Sequence, residues 1–376
     1  MRRLLTRALW LGILAVPVLA SVLTGEQDRK EPPDAIASLI RSLGSDAYRV
    51  RLDARSQLVA RGEEAVPALL KAVSSSKDPE IRGRALDVVL AVLPPTRKSK
   101  TVGMQLNRLL GGTFGMGSVF PEKGRRPDEP LHSVRVGGPF YMGVNEVTQH
   151  QYQQIMQNNP SWFTPTGDGK AAVGPMNTAP FPVENVTWFD ALEFCNRLSQ
   201  RDGLPSYYSL EDVKREGNAI RAAKATISGG NGYRLPTEAE WEFACRAGNE
   251  TPFHFGRSPA GHELNCKSSI VPGGYGGGPL WVALMRTTTI SSYPSNAFGL
   301  HDMHGNVAEW CWDYYDKDFY TASPGVNPVG PKTGLHKVVR GGSWLVTEVS
   351  CRSASRYMQM PGDTNYTIGF RVARDP

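Results

Sequence analysis

Val339-Arg340-Gly341-Gly342-Ser343-Trp344, with Gly369-Phe370-Arg371 near the end of the chain, is the stretch against which the other residues are read. Adjacent glycines permit positive φ or close backbone approach. The serine and tryptophan that follow put a hydroxyl and a large ring at the mouth of whatever that approach creates. Taken alone, such a run is more often a tight structural turn than a site. Its companions decide its meaning.

Those companions stand upstream, in order: Gly112-Thr113-Phe114-Gly115-Met116-Gly117-Ser118, Asn145-Glu146-Val147-Thr148, Tyr233-Arg234-Leu235-Pro236-Thr237-Glu238-Ala239-Glu240-Trp241-Glu242 and Gly305-Asn306-Val307-Ala308-Glu309-Trp310. In this order they resemble the sulfatase-modifying-factor family of formylglycine-generating enzymes, over residues 109–376. The resemblance implies an α+β, turn-rich domain, an elaboration of the C-type lectin fold. Composition agrees: 39 glycines and 28 prolines, concentrated after residue 110, call for many turns and few long regular elements. An apolar share of 40% with 21% charged residues suits a globular protein. The net charge of +6 comes with no run of five Lys or Arg. It reads as ordinary surface charge, and no nucleic-acid partner is expected.

Residues 1–20 have the layout of a secretory signal peptide: Arg2, Arg3 and Arg7, an apolar run from Ala8 to Leu19, then Val18-Leu19-Ala20 before Ser21. The run is short for a membrane span, so none is expected after cleavage; an uncleaved anchor is the alternative. Either way the body is expected to be exported, to a periplasm, an envelope or the extracellular space. Residues 21–33 read as a linker. Residues 34–93 are apolar-periodic: Ala35 to Leu43 corresponds to Ala65 to Val73, and the segment at Val50 to that at Ile81. Two such units resemble HEAT-type repeats, a small all-α arm. Two units are too few to bury a continuous core, so the arm is expected to pack on the main domain or on a partner. Residues 94–108, opened by Pro94-Pro95, read as a second linker.

Within the main domain, Thr148 with Gln151, Thr187 with Asp190 and Thr237 with Glu240 each place a hydroxyl three residues before a side chain that can reach back. This spacing predicts three capped helices. After two of those caps, Cys195 and Cys245 fall on apolar faces and read as buried small groups. Glu238, Glu240 and Glu242 read as first-turn carboxylates favoured by the helix dipole rather than acid/base catalysts. Residues 203–232 and 252–285 read as loops. Five cysteines lie far apart without CxxC spacing. An oxidising compartment permits one or two disulfides, whose pairing the sequence leaves open.

Two metals come with the resemblance. Asp302-Met303-His304-Gly305-Asn306-Val307-Ala308-Glu309 gathers carboxylates about a glycine turn, which suits a hard cation; a plain hydrogen-bonded turn is the alternative. The family's calcium site maps onto the side chains of Asp302 and Glu309 and the carbonyls of Gly305 and Val307. A second family site would use Asn265 and the Cys266 carbonyl, and its other half is not found at Trp281 to Met285. The family's oxidases hold Cu(I) with two cysteines, two and seven residues past the aromatic of the glycine turn. Here those positions are Val346 and Cys351. Counted back from Arg356, the loop is three residues short and Cys351 falls outside the pair. On either count one sulfur remains, where linear Cu(I) needs two soft thiolates. A second thiol would have to come from elsewhere, and Cys311 is the nearest in sequence. Copper is therefore not expected. The expected function is a calcium-stabilised, non-oxidase binding or remodelling module. It would recognise a polypeptide or glycan, a sulfatase among the candidates, beside Ser343, Trp344 and Arg356. The competing reading is a cysteine-to-formylglycine oxidase using Cys351 and Ser343. A second thiol beside Cys351 would remove the reason for preferring the first.

Overall fold

The computed structural model describes residues 35–259, 263–267 and 283–376. The expected signal peptide and first linker, and residues 260–262 and 268–282 of the expected loop 252–285, lie outside them. Four helices, Ala35–Ser42, Tyr48–Ala60, Val66–Ser75 and Pro79–Val92, make the N-terminal arm. They close an apolar cluster of their own around Leu43, Leu58, Leu69, Val88 and Val89. The arm is also pinned to the main domain: Arg97 pairs with Glu63 at 2.7 Å, and the Tyr141 hydroxyl donates to the Pro94 carbonyl at 2.7 Å. A cavity of about 710 Å³ lies along this seam, lined by Leu70, Tyr207, Tyr208 and Trp312 among others. No helix among the described residues is long and apolar enough to cross a membrane.

The main domain is mixed α+β, as expected. A five-stranded antiparallel sheet runs in the order Thr96–Lys98, Gln105–Leu109, Phe140–Gly143, Ala373–Arg374, Tyr233–Arg234. Residues 94–108 are thus not a free linker but supply two strands of this sheet. They are short and largely polar, so their pairing has little period-two signal to announce it. A four-stranded sheet runs Arg356–Gln359, Lys337–Arg340, Ala308–Tyr314, Ile368–Gly369. The last pair is parallel.

All three expected helices form with complete capping boxes: Gln149–Met156 behind Thr148, Trp188–Arg201 behind Thr187, and Glu238–Arg246 behind Thr237. Each box satisfies two otherwise orphaned N–H groups, and losing such a cap costs about 1 kcal/mol. Cys195 and Cys245 are fully buried on the inner faces. The expectation of a loop over 203–232 is corrected: Tyr208–Glu216 and Ala219–Ile227, nine residues each, pair as a hairpin. Only Tyr208 and Ile220 of these strands are buried. With most side chains in water, the apolar alternation that betrays a strand is missing.

Candidate functional site

The glycine turn sits where two charged layers and a sulfur pair meet. Gly341 and Gly342 have φ of 90° and 70°. A Cβ on Gly341 would stand 3.1 Å from the Trp241 ring, and one on Gly342 would stand 2.6 Å from Cys351 Sγ. The double glycine is therefore a close-approach device, and what it approaches is the Trp241 ring and the Cys351 thiol.

Beneath it, Arg340 is completely buried. Its guanidinium pairs with Glu238 at 3.0 Å and with Glu242, and donates to the Ser353 carbonyl at 2.6 Å. Arg356 grips Glu238 from the other side with two bonds of 2.7 and 2.9 Å and lies over the Tyr320 ring. Burial alone would raise the Glu238 carboxyl, but Arg356 and Arg340 hold it below the ordinary range. Glu242 also takes Arg246 at 2.8 Å. Glu240 caps its helix and pairs with Arg234. Arg356, expected beside a ligand groove, is 1% exposed and committed to this network. A buried carboxylate needs a paired cation, and Arg356 meets that need for Glu238.

Cys351 closes the 3-10 turn Glu348–Cys351 and is fully buried. Its thiol donates to the Thr347 carbonyl at 3.7 Å and lies in one apolar cluster with the thiol of Cys266. The Cys266 thiol beside it, then burial, pushes Cys351 well above the usual thiol range. Cys351 is thus not a lone sulfur, so the ground on which copper was not expected does not hold, and the neighbouring thiol is Cys266 rather than the Cys311 nearest in sequence. Backbone pairing brings them together: the Lys267 N–H donates to the Val346 carbonyl at 2.8 Å, and Lys267 bridges Thr347 in parallel. Val346 contributes packing to the same cluster, with no donor atom for a metal. A second sulfur and imidazole group adjoins the first. His304 Nδ1 lies 2.6 Å from the Cys351 carbonyl, and Cys245 Sγ lies 3.7 Å from His304 Nε2 and 3.5 Å from Ser353 Oγ. Burial holds His304 neutral, down at about 3. Among the described residues no group of three or more His, Cys, Asp or Glu side chains is set to hold a metal ion.

Ser343 is buried, and its hydroxyl lies 3.4 Å from the Leu345 N–H of its own turn. Trp344 is 5% exposed and meets Phe163 edge-on at 5.2 Å. What reaches the surface beside it is Tyr366, 37% exposed, with Trp162 at 5.3 Å from that ring. Both main-chain N–H groups of Trp162 and Phe163 donate to the carboxylate of Glu184 at 3.0 Å. Glu184 is fully buried, which pushes it up to about 8. Sequence reading missed Glu184 and Trp162. The only signal was a carboxylate directly after the apolar run Phe181-Pro182-Val183.

The expected calcium residues are split. Glu309 receives Arg371 through bonds of 2.7 to 2.9 Å and Trp241 Nε1 at 2.8 Å, so its oxygens are occupied. Asp302 takes the Ser291 N–H on Oδ2 at 2.7 Å, while its buried Oδ1 has no partner among the described residues. Glu146, buried nearby, accepts from Asn306 Nδ2 and the Val307 N–H. Gly305 has φ of 82°, and a Cβ there would collide with the Asn265 carbonyl. Three carboxylates thus surround one guanidinium. Burial pushes Glu146 well above the ordinary carboxyl range and Asp302 up to about 6, and Glu309 is taken by Arg371 rather than free as a ligand.

Against known proteins, the family model described as a sulfatase-modifying factor enzyme 1-like domain matches residues 92–376. The chaperone protein LppX of Paenibacillus barcinonensis is 32% identical over 55% of this chain and 69% of its own. The formylglycine-generating enzyme of Streptomyces coelicolor is 29% identical over 75% of this chain and 92% of its own. The serine/threonine-protein kinase pkn1 of Chlamydia pneumoniae is 30% identical, and this chain spans only 37% of that protein's length. Among solved structures, Treponema denticola variable protein 1 superposes with a TM-score of 0.58 at 27% identity, covering 75% of this chain and 98% of that one.

Proposed function

The chain belongs to the family of sulfatase-modifying factor enzyme 1-like domains, and from that premise we propose that it is an exported, non-oxidase module that binds an extended polypeptide. The observation that carries this reading is the aromatic tier of Trp162, Trp344 and Tyr366, whose outer rings are open while both neighbouring sulfurs are enclosed. Cys266 and Cys351 are 1% and 0% exposed, and an oxidase must bring a substrate sulfur to its metal. Rings packed at a tilt on a firm base suit main-chain and side-chain contacts of a peptide, as aromatic anchors do at recognition surfaces. That LppX is described as a chaperone points the same way. The HEAT-like arm is read as a docking element for the same partner, and calcium as a stabiliser held at Asp302.

Binding of a fluorescent, permanently unfolded polypeptide tests the reading. Trp162→Ala and Tyr366→Ala are each expected to weaken it about tenfold, a hot-spot loss near 1.4 kcal/mol. Unchanged binding in both variants, or a preference for glycans over peptides, would overturn it.

A second reading, a copper-dependent formylglycine-generating oxidase, is favoured by the Cys266–Cys351 contact, which supplies the two soft donors that the sequence lacked. Copper would be held by those two sulfurs and would supply the oxidation of a substrate cysteine. Incubation with a Cys-x-Pro-x-Arg peptide, copper and oxygen, followed by mass spectrometry, decides it. An aldehyde abolished by Cys351→Ala would establish the oxidase.

A further inference from the structure

We propose that Cys266 and Cys351 form a disulfide that staples the Asn265–Lys267 segment to the turn Glu348–Cys351, beneath the double glycine. In the structure both are free, buried thiols. Their approach is imposed by backbone rather than by side-chain reach, through the Lys267 N–H to Val346 carbonyl bond of 2.8 Å and the Lys267–Thr347 bridge. Both sit in one apolar cluster with Phe253 and Leu264, which fixes the relative position of the two sulfurs. Gly342 clears the space over Cys351 that any side chain would occupy.

The other three cysteines are engaged differently. Cys195 lies in the core cluster of the Trp188–Arg201 helix. Cys245 turns to Met303, His304 and Ser353. Cys311 is buried on the strand Ala308–Tyr314. An odd count of five thereby resolves into one bridge and three thiols.

The chemistry is a two-electron thiol–disulfide exchange. One cysteine thiolate attacks a donor disulfide, such as glutathione disulfide or the oxidised form of a dithiol oxidant, and expels a thiolate. The second cysteine then displaces the other donor sulfur from the mixed disulfide. The two cysteines are oxidised, the donor is reduced to two thiols, and the two cysteine protons end on those leaving thiols. Because both sulfurs are enclosed in the folded protein, exchange takes place before the segments around them close. The bond joins positions far apart in the chain, the arrangement in which a cross-link most restricts the unfolded ensemble. This inference is independent of polypeptide binding, and it removes the free thiols that the copper reading requires.

The test uses the full chain, refolded with reduced and oxidised glutathione and checked for folding by circular dichroism. After denaturation in iodoacetamide without reductant, three of the five cysteines are expected to be alkylated, and all five after reduction. A non-reducing peptide map is expected to show one linked pair containing Cys266 and Cys351. Reduction is expected to lower Tm by about 5–10 °C, and to leave a Cys266→Ser variant unchanged. Alkylation of all five thiols in folded protein, or a linked pair that includes Cys195, Cys245 or Cys311, would overturn the proposal. Retained peptide binding with five free thiols would sink the disulfide alone.

Discussion

Gly342 faces Cys351 so closely that a Cβ on the glycine would stand 2.6 Å from the sulfur. The glycine also holds φ at 70°, a conformation that costs other residues about 1–3 kcal/mol. Gly342→Ala therefore combines backbone strain with a steric clash. It is expected to destabilise the fold by about 2–4 kcal/mol, read from chemical denaturation. A change under 0.5 kcal/mol would mean that the turn yields easily.

Glu238 is the shared anion of Arg340 and Arg356. Glu238→Gln leaves two buried guanidinium groups facing a neutral amide, and breaking such a pair costs about 3–5 kcal/mol. The pH dependence follows from the depressed carboxyl. Its ordinary value is 4.5 and its folded value lies below that, so its contribution is complete above the ordinary value. The contribution is lost as pH falls through the folded value. The acid limb of the stability curve is expected to be shallower in the variant, measured by urea midpoints from pH 6 down to 3.

Glu184 accepts the N–H groups of Trp162 and Phe163. Glu184→Ala leaves two buried donors unpaired, at about 1–3 kcal/mol each. The segment carrying Trp162 is expected to loosen, with faster amide exchange at residues 161–163 and weaker polypeptide binding. Unaltered exchange at these amides would show that the carboxylate does not organise the aromatic tier.

Of the two expected ligand carboxylates, Asp302 has an oxygen without a partner among the described residues, whereas Glu309 is occupied by Arg371. Native mass spectrometry with and without chelator is expected to show one calcium in the parent protein and none in Asp302→Asn. Calcium retained by that variant would place the ion elsewhere.

Much of this fold is legible from residues a few positions apart. The three Thr-x-x-Gln/Asp/Glu boxes are each found where their spacing puts them, because a capping hydroxyl and its reciprocal side chain belong to one helical turn. The buried faces carrying Cys195 and Cys245 follow from helical periodicity for the same reason. The hairpin Tyr208–Glu216 with Ala219–Ile227 and the strands Thr96–Lys98 and Gln105–Leu109 are not legible. Most of their side chains are polar or exposed, so the apolar alternation that announces a strand is missing.

The order of motifs determined the family and, with the glycine pair, that the chain turns sharply before Trp344. Only the tertiary structure decided what that turn meets. It turned Arg356 inward to Glu238, gave Glu309 to Arg371, and set Cys266 beside Cys351. The physical reason is range. Caps and turns are hydrogen bonds within three or four residues, while a thiol's or a carboxylate's partner is chosen by the packing of segments that the chain brings together from far apart.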